Sequence, residues 1–215
     1  MDSMRSLLAV MILIGGMGLA GSGQAELVEG RDYVLLSHPQ PIESGSDVEV
    51  LEFFWYGCGS CYALHPQLSA WLAGAPKGVS FRYVPAVLRP NWAPAAKAFY
   101  ALEALGVRSA LHDKVYDAIH IGKVDSTSDA ALFDWAARQG IDRNKFIEAY
   151  NSFSVQAQQV PRSERMAAKY GISGVPTLVV DGKYMTSGRM GSTPANTIRI
   201  LNELIDKARR ERTGK

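Results

Sequence analysis

The feature that most constrains this sequence is a buried-strand pattern that runs directly into a helix pattern carrying both cysteines of the chain. Residues 48–55, VEVLEFFW, are an almost continuous run of apolar, β-branched and aromatic side chains, which predicts a strand covered on both faces. Gly57 ends the run, and from Cys58 apolar residues recur at helical spacing as far as Gly74. We therefore expect Cys58 and Cys61 at the first turn of a helix that begins where a strand ends.

The remaining pattern separates two β portions by a long helical stretch. Strands are predicted at residues 33–36, 48–55, 79–84, 177–180 and 183–186. Helical spacing is found at residues 95–105, 109–121, 129–139, 144–150 and 162–170. Asp181-Gly182 is a two-residue hairpin signal between the last two strands, and Thr193-Pro194 predicts the start of a final helix.

This order predicts an α/β domain that is interrupted by an all-helical subdomain. A strand–helix–strand unit needs roughly 30 residues, whereas residues 86–175 separate the two β portions. We assign the first part of the α/β domain to residues 26–85, the inserted helical subdomain to 86–170 and the second part to 171–215.

Residues 1–25 have the layout of a cleaved signal peptide. Arg5 is followed by an apolar run from Leu7 to Ala20, and small residues lead to a predicted cleavage site after Ala25. The alternative is an uncleaved membrane anchor, but the apolar run is shorter than the roughly 20 residues that a span needs. We therefore expect the mature protein to leave the cytoplasm.

Charge gives no indication of a nucleic-acid partner. The formal net charge is +2, and no dense stripe of lysine and arginine appears. The basic C-terminal segment KARRERTGK is expected at the end of the last helix, where cations suit the helix dipole.

Three kinds of chemistry are open to the cysteine pair: metal binding, a structural disulfide, or thiol–disulfide exchange. A structural zinc site needs four ligands, and the chain has no second cysteine pair. Its histidines do not complete a zinc pattern; they are His38, His65, His112 and His120. A disulfide between residues so close in sequence closes a very small loop and stabilises a fold little. Redox chemistry is the strongest of the three hypotheses.

The helix start favours a thiolate at Cys58. The unpaired N–H groups of Ser60 and Cys61 are the expected donors to the Cys58 sulfur. Lowering a thiol pKa from about 8.5 to about 5 takes roughly 5 kcal/mol. The helix dipole supplies up to about 2 kcal/mol, and each hydrogen bond to a charged acceptor about 1.5–3 kcal/mol. At pH 7 such a pKa stabilises the dithiol by about 2.7 kcal/mol, on the order of 60 mV. Cys61, one turn into the helix, is expected to be buried and to act as the resolving thiol.

Two further positions are candidates for the same site. Pro176, in Gly174-Val175-Pro176-Thr177, either marks a strand start or follows a cis peptide bond that places backbone groups beside the cysteines. Glu52 lies on an otherwise apolar strand and is either an exposed or helix-facing carboxylate or a buried acid that exchanges a proton with Cys61. His65 lies on the helix that carries the cysteines. We expect it to be a surface histidine rather than a group that assists the reaction of the cysteines.

FFWYGCGSC followed by GVPTLVV, in this strand context, resembles the thioredoxin superfamily. The export signal, the helical insertion and LEFF…CxxCY are similar to the DsbA family in particular. The resemblance implies a thioredoxin-like domain with an inserted all-helical subdomain, and a transferable Cys58–Cys61 disulfide with no other cofactor. It also implies that Val175 and Pro176 bind substrate and that Glu52 is the family's buried acid.

The same resemblance implies the setting in which the chain works. Substrates would be reduced, unfolded, newly exported polypeptides in the periplasm, and a DsbB-like membrane quinone oxidoreductase would restore the disulfide. A monomer is expected. The chain departs from the family at Gly59-Ser60, where many members carry Pro-His, so we expect a weaker oxidant. His65 stands where an acidic residue is often found.

Two alternatives remain open from the sequence. The first is a periplasmic disulfide reductase or isomerase of the same superfamily, although no attached dimerisation segment is visible. The second is a non-catalytic peptide-binding chaperone that uses the groove without turnover. A metal carrier is more remote, since no cluster of methionine and histidine accompanies the cysteine pair.

Overall fold

The computed structural model describes residues 26–214. The predicted signal peptide at residues 1–25 lies outside the described residues. Across residues 26–214, no helix combines the length and the apolar character that a membrane crossing requires.

The centre of the molecule is a five-stranded mixed sheet in the order β1-β5-β4-β2-β3. Its strands are Val34–Leu35 (β1), Val48–Phe54 (β2), Val79–Pro85 (β3), Thr177–Val180 (β4) and Tyr184–Ser187 (β5). β2 pairs in parallel with β3 and antiparallel with β4. Every residue of β2 is buried, as its continuous apolar pattern predicts.

The predicted helices are present in the predicted order, and one further short helix, at Gly188–Gly191, was not predicted. The helices are Gly59–Ala73 (α1), Ala93–Ala104 (α2), Arg108–His120 (α3), Asp129–Arg138 (α4), Arg143–Tyr150 (α5), Val160–Lys169 (α6), Gly188–Gly191 (α7) and Pro194–Arg212 (α8). A 3₁₀ turn at Pro90–Trp92 precedes α2, and a π-helical segment at Ser154–Gln159 leads into α6. The Thr193 side chain accepts a hydrogen bond from the Asn196 N–H at 3.2 Å, which confirms the predicted cap of α8.

The hairpin between β4 and β5 shows why its turn needs these residues. Asp181 and Gly182 both have positive φ, at 56° and 64°, as a two-residue hairpin turn requires. A Cβ on Gly182 would lie 2.1 Å from the carbonyl oxygen of Gln40, so no larger residue fits. Arg212, in the last turn of α8, bonds the Asp181 carboxylate and fixes the turn to the C-terminal helix.

Helices cover both faces of the sheet. On one face α1 and α8 pack against β2 and β4 through residues such as Leu68, Leu178 and Leu201. On the other face Ala167 of α6 and Tyr170 pack against Leu51. A further core joins helices α2 to α5 and includes Cys61. The thioredoxin-like fold with a helical insertion is thereby confirmed, while the subdomain boundaries at 86 and 170 stay predictions.

The largest local difference from the predicted elements precedes α6. The pattern predicts a helix start near residue 162, but helical structure begins at Ser154 with a π-helical segment. Pro161 has no N–H to donate to the preceding turn, and a widened turn before it accommodates that missing hydrogen bond.

Candidate active site

Cys58 is the N-cap residue of α1, directly after the turn that follows β2. Its backbone is extended, with φ −86° and ψ 116°, so its side chain faces the free end of the helix. The Cys58 Sγ accepts a hydrogen bond from the Cys61 N–H at 3.4 Å. Its own N–H donates to the Trp55 carbonyl at 3.0 Å. The strand–helix junction predicted from the sequence is confirmed.

These contacts lower the pKa of the Cys58 thiol from its ordinary value to about 6. The largest cause is the hydrogen bond with the Cys61 side chain, and the N–H groups of Cys61 and Ser60 add to it against the opposing effect of burial. No cation contributes. Gly59 and Ser60 are exposed, so Ser60 acts on the Cys58 sulfur through its backbone and carries no charge to it.

Cys61 has the opposite environment, three residues further along the helix. It is fully buried, and burial raises the pKa of its thiol well above the ordinary value. The neighbouring Cys58 sulfur and the Glu52 carboxyl raise it further. Both cysteines are free thiols in this structure. The predicted burial of Cys61 is confirmed.

Glu52 is a buried acid and not an exposed carboxylate. It is 1% exposed, on β2, where its neighbours in register are Tyr83 of β3 and Leu178 of β4. Burial, followed by the proximity of Cys58, raises the pKa of its carboxyl to about 8. Its Oε2 atom has no hydrogen-bond partner among residues 26–214. At neutral pH this carboxyl is mostly protonated and can exchange a proton without an ion-pair partner.

The Val175–Pro176 peptide bond is cis, which is the second of the two alternatives stated for Pro176 from the sequence. The Cys58 S–H donates to the Val175 carbonyl oxygen at 3.4 Å, so the loop touches the reactive sulfur although 117 residues separate the two in sequence. Two further hydrogen bonds fix the conformation of this loop. The Thr177 hydroxyl donates to the Gly174 carbonyl at 2.7 Å, and the Gly188 N–H donates to the Pro176 carbonyl at 3.2 Å.

The expectation of a surface histidine at position 65 is wrong. His65 is 6% exposed, and its Nε2 atom lies 2.7 Å from a carboxylate oxygen of Asp113 on α3. Its ring also packs against the rings of His112 and Tyr116. Helix α3 covers this side of α1, and the spacing of residues within α1 cannot show which helix packs there.

Helix α3 holds the turn before Cys58, a role that the sequence reasoning missed. The Tyr56 hydroxyl lies 2.6 Å from Nδ1 of His112 inside the core, and burial lowers the pKa of His112 to about 3. His120 Nε2 donates to the Tyr56 carbonyl oxygen at 2.8 Å, and its ring stacks on Tyr62. The four-residue spacing of His112, Tyr116 and His120, which places them on one helix face, is the signal that was available.

Gly57 is required by the side chain of Trp55. The Trp55 ring stacks face to face on Trp92 with a centroid distance of 4.3 Å. A Cβ on Gly57 would lie 2.4 Å from atoms of the Trp55 ring, so a larger residue would displace the stacked pair beside Cys58.

No cluster of three or more histidine, cysteine, aspartate or glutamate side chains suited to a metal ion occurs in the described part of the chain.

Comparisons with known proteins agree with this geometry. A family model described as DSBA-like thioredoxin domain matches residues 72–198. The thiol:disulfide interchange protein DsbA of Burkholderia cepacia is 38% identical over 205 residues, covering 94% of this chain and 96% of the relative. DsbA of Azotobacter vinelandii is 37% identical over 212 residues, covering 96% and 99%. These nearly full-length matches extend over the cysteine pair, which the family model does not reach.

Solved structures give the same result in three dimensions. The crystal structure of Pseudomonas aeruginosa DsbA superposes with a TM-score of 0.80 at 35% identity, covering 86% of this chain and 95% of that one. The oxidoreductase DsbA of Xylella fastidiosa superposes with a TM-score of 0.78 at 32% identity, covering 85% and 98%.

Proposed function

The chain belongs to the DsbA-like thioredoxin family of thiol:disulfide oxidoreductases, and on that premise we propose that it donates a Cys58–Cys61 disulfide to newly exported, folding polypeptides. The observation that carries the proposal is the contrast between the two thiols. The pKa of Cys58 is lowered to about 6 at the helix end, while burial raises that of Cys61. One sulfur is therefore suited to leave as a thiolate, and the other needs a proton when it is released.

The first step is attack on the disulfide form. A substrate thiolate attacks the Cys58 sulfur, a substrate–Cys58 disulfide forms, and the Cys58–Cys61 bond breaks with its electron pair going to the Cys61 sulfur. Attack is directed to Cys58 because Cys58 is partly exposed and Cys61 is fully buried.

Glu52 supplies the proton that the released Cys61 sulfur requires. A thiolate at Cys61 is unfavourable because burial opposes charge there. With a pKa of about 8, the Glu52 carboxyl is mostly protonated at pH 7 and has a value close to the operating pH, as a proton donor needs. In reoxidation the same carboxylate accepts the proton from Cys61.

The second step releases the product. A second substrate thiolate attacks the substrate sulfur of the mixed disulfide, and Cys58 leaves as a thiolate. The substrate has lost two electrons and the protein has gained them. A leaving group with a pKa of about 6 departs faster than an ordinary thiol.

The thiolate at Cys58 favours the dithiol form over the disulfide form by a moderate amount of free energy. A Cys58 pKa of about 6 stabilises the dithiol protein by about 1.4 kcal/mol at pH 7, equivalent to about 30 mV. The sequence alone suggested a pKa near 5 and about 60 mV. Neither Gly59 nor Ser60 adds positive charge beside Cys58, which supports a weaker oxidant than a family member with a histidine between its cysteines.

Substrate binding is assigned to the loop at Val175 and Pro176. Its backbone lies against the Cys58 sulfur, so an extended polypeptide that reacts there passes over the loop. We place the protein in the periplasm, with reduced exported polypeptides as substrates and a DsbB-like membrane quinone oxidoreductase as the acceptor of its two electrons.

The reduction potential of the Cys58–Cys61 pair tests the proposal. The pair is equilibrated in glutathione buffers at pH 7 and followed by thiol alkylation. A potential well above that of glutathione supports a disulfide donor. A potential near the roughly −270 mV of thioredoxin would move the chain to the reductase or isomerase class.

A further inference from the structure

A groove of about 300 Å³ is lined on one side by the cis-proline loop, whose Val175 carbonyl contacts the Cys58 sulfur. It lies between that loop and the residues of β5 and α7, which follow one another directly in the chain. Residues lining it include Val175, Pro176, Met185, Ser187, Arg189 and Met190.

Arg189 is the one charged side chain among the described residues that line this groove. It is exposed, and no ion pair or side-chain hydrogen bond involves its guanidinium within residues 26–214. This is unlike Arg82, Arg162, Arg199 and Arg212, each of which bonds a carboxylate. No carboxylate of the described chain lines the groove to neutralise Arg189.

We propose that Arg189 is a specificity-determining residue, which favours substrate segments that carry a carboxylate side chain near the reacting cysteine. The inference deepens the proposed function and rests on it. It names the chemical class of substrate, an acidic extended segment, for a groove whose remaining lining is neutral.

The contacts around the loop bring such a segment to Arg189. The Cys58 sulfur touches Val175, and Gly188 packs on Pro176, where an added Cβ would lie 3.1 Å from the proline Cγ. Arg189 is the next residue along the chain. Since an extended chain rises about 3.3 Å per residue, a carboxylate about two to four residues from the reacting cysteine comes within reach.

The other lining residues explain why charge, and not shape, discriminates. Met185 and Met190 are flexible, polarizable side chains that fit many apolar partners. A groove of this kind accepts varied sequences, and a single unpaired cation then sets the preference through attraction of carboxylates and repulsion of lysine or arginine.

The test uses three dithiol peptides that are identical except for aspartate, asparagine or lysine three residues from the first cysteine. The disulfide form of the full-length mature protein oxidises each peptide at low ionic strength. Each rate constant is divided by that for dithiothreitol, a small uncharged dithiol that reports sulfur reactivity alone. The proteins compared are wild type, Arg189→Gln, Arg189→Glu and Arg165→Glu.

Arg165→Glu is the matched control because it reverses an exposed arginine on α6 that does not line the groove. We expect wild type to oxidise the aspartate peptide about three times faster than the asparagine peptide, the range of an exposed ion pair. Arg189→Gln removes the preference, Arg189→Glu reverses it in favour of lysine, and Arg165→Glu retains it. The preference also falls with added salt.

Equal normalised rates for the three peptides in wild type would overturn the inference and leave the oxidase function intact. A preference that Arg165→Glu reduces as much as Arg189→Glu would also overturn it, because the overall field of the protein would then be responsible. If wild type oxidised no peptide, the proposed function would fail together with the inference.

Discussion

The two ends of the first turn of α1 place the same chemical group in opposite environments. At the helix end, Cys58 is partly exposed and accepts hydrogen bonds from the next residues of its own helix. On the inner side of the turn, Cys61 is fully buried near the carboxyl of Glu52, whose Oε2 atom has no hydrogen-bond partner in the described part of the chain. The pKa of the first thiol falls to about 6, and that of the second rises.

The pKa of Cys58 depends on residues that are close to it in sequence, whereas the pKa of Cys61 depends on segments that are distant in sequence. Cys58 owes its thiolate to donors within three residues of it, which are the Cys61 side chain and the N–H groups of Cys61 and Ser60 that a helix start leaves unpaired. Cys61 and Glu52 owe their protonated states to the sheet and the helices that exclude water from them. Substitutions around Cys58 should therefore alter the reduction potential of the cysteine pair. Substitutions around Cys61 and Glu52 should alter proton transfer and the free energy of unfolding.

The largest expected effects come from removing either sulfur, because the two cysteines have different roles. Cys58→Ser and Cys61→Ser should both abolish peptide oxidation, because neither can form the internal disulfide. Only Cys61→Ser should retain a reactive thiol and form a mixed disulfide that persists on a gel without reductant. In Cys61→Ala, which lacks the donor that a serine hydroxyl would restore, the Cys58 pKa should rise above about 6, since the Cys61 side chain is the largest cause of the lowering. An unchanged Cys58 pKa in Cys61→Ala would show that the N–H groups of the helix end act alone.

Replacing the buried acid should stabilise the protein at neutral pH. The pKa of Glu52 is raised from 4.5 to about 8, so the folded state retains a proton that the unfolded chain loses between these values. The contribution of the Glu52 carboxyl to the free energy of unfolding is therefore most favourable below pH 4.5, and it decreases as the pH rises to 8. The loss at pH 7 is about 3 kcal/mol. Glu52→Leu should recover about that much in urea unfolding at pH 7 and little at pH 4.

Glu49→Leu is the control for that measurement. Glu49 is also buried on β2, but it accepts hydrogen bonds from the Glu43 N–H and from Arg82. Its loss leaves the Glu43 N–H without its acceptor and removes one of the two carboxylates that Arg82 bonds, so Glu49→Leu should destabilise the protein. Equal stabilisation by both variants would mean that added apolar side chain, and not the carboxyl, is responsible.

The pH dependence of the dithiol form isolates Cys58. Its pKa is lowered to about 6, so the stabilisation it gives is complete above the unfolded value and is lost as the pH falls through 6. The unfolding free energy of the dithiol protein, relative to the disulfide form, should fall by about 1.4 kcal/mol between pH 7 and pH 5. Alkylation of Cys58 by iodoacetamide should be half-maximal near pH 6, and a midpoint above pH 8 would contradict the N-cap argument.

The smallest expected effect is at Ser60. Ser60→His adds a group that can carry positive charge while keeping the N–H donor to Cys58, so it should lower the Cys58 pKa further and raise the reduction potential by up to about 30 mV. Ser60→Ala keeps the donor without the charge and should leave both quantities near their wild-type values. Thiolate absorbance against pH gives the pKa, and a Ser60→His variant that fails to lower it would contradict the argument for a weaker oxidant.

The sequence by itself determined the features that depend on near neighbours. The strand–helix junction at Cys58, the donors that lower its pKa, the tight turn at Asp181-Gly182 and the cap at Thr193 each involve residues within about four positions of one another. Steric limits and hydrogen bonds at that range are encoded in residue type and spacing, so the pattern predicts them.

Only the tertiary structure decided which surfaces meet. His65 is buried because α3 covers that side of α1, and His112 and His120 hold Tyr56 because the same helix packs beside the turn. That Arg189 has no ion-pair partner among residues 26–214 is likewise a property of what surrounds the groove. Burial and pairing between distant segments depend on how helix and sheet faces are combined, and that combination minimises exposed apolar surface over the whole chain, beyond the range of any local pattern.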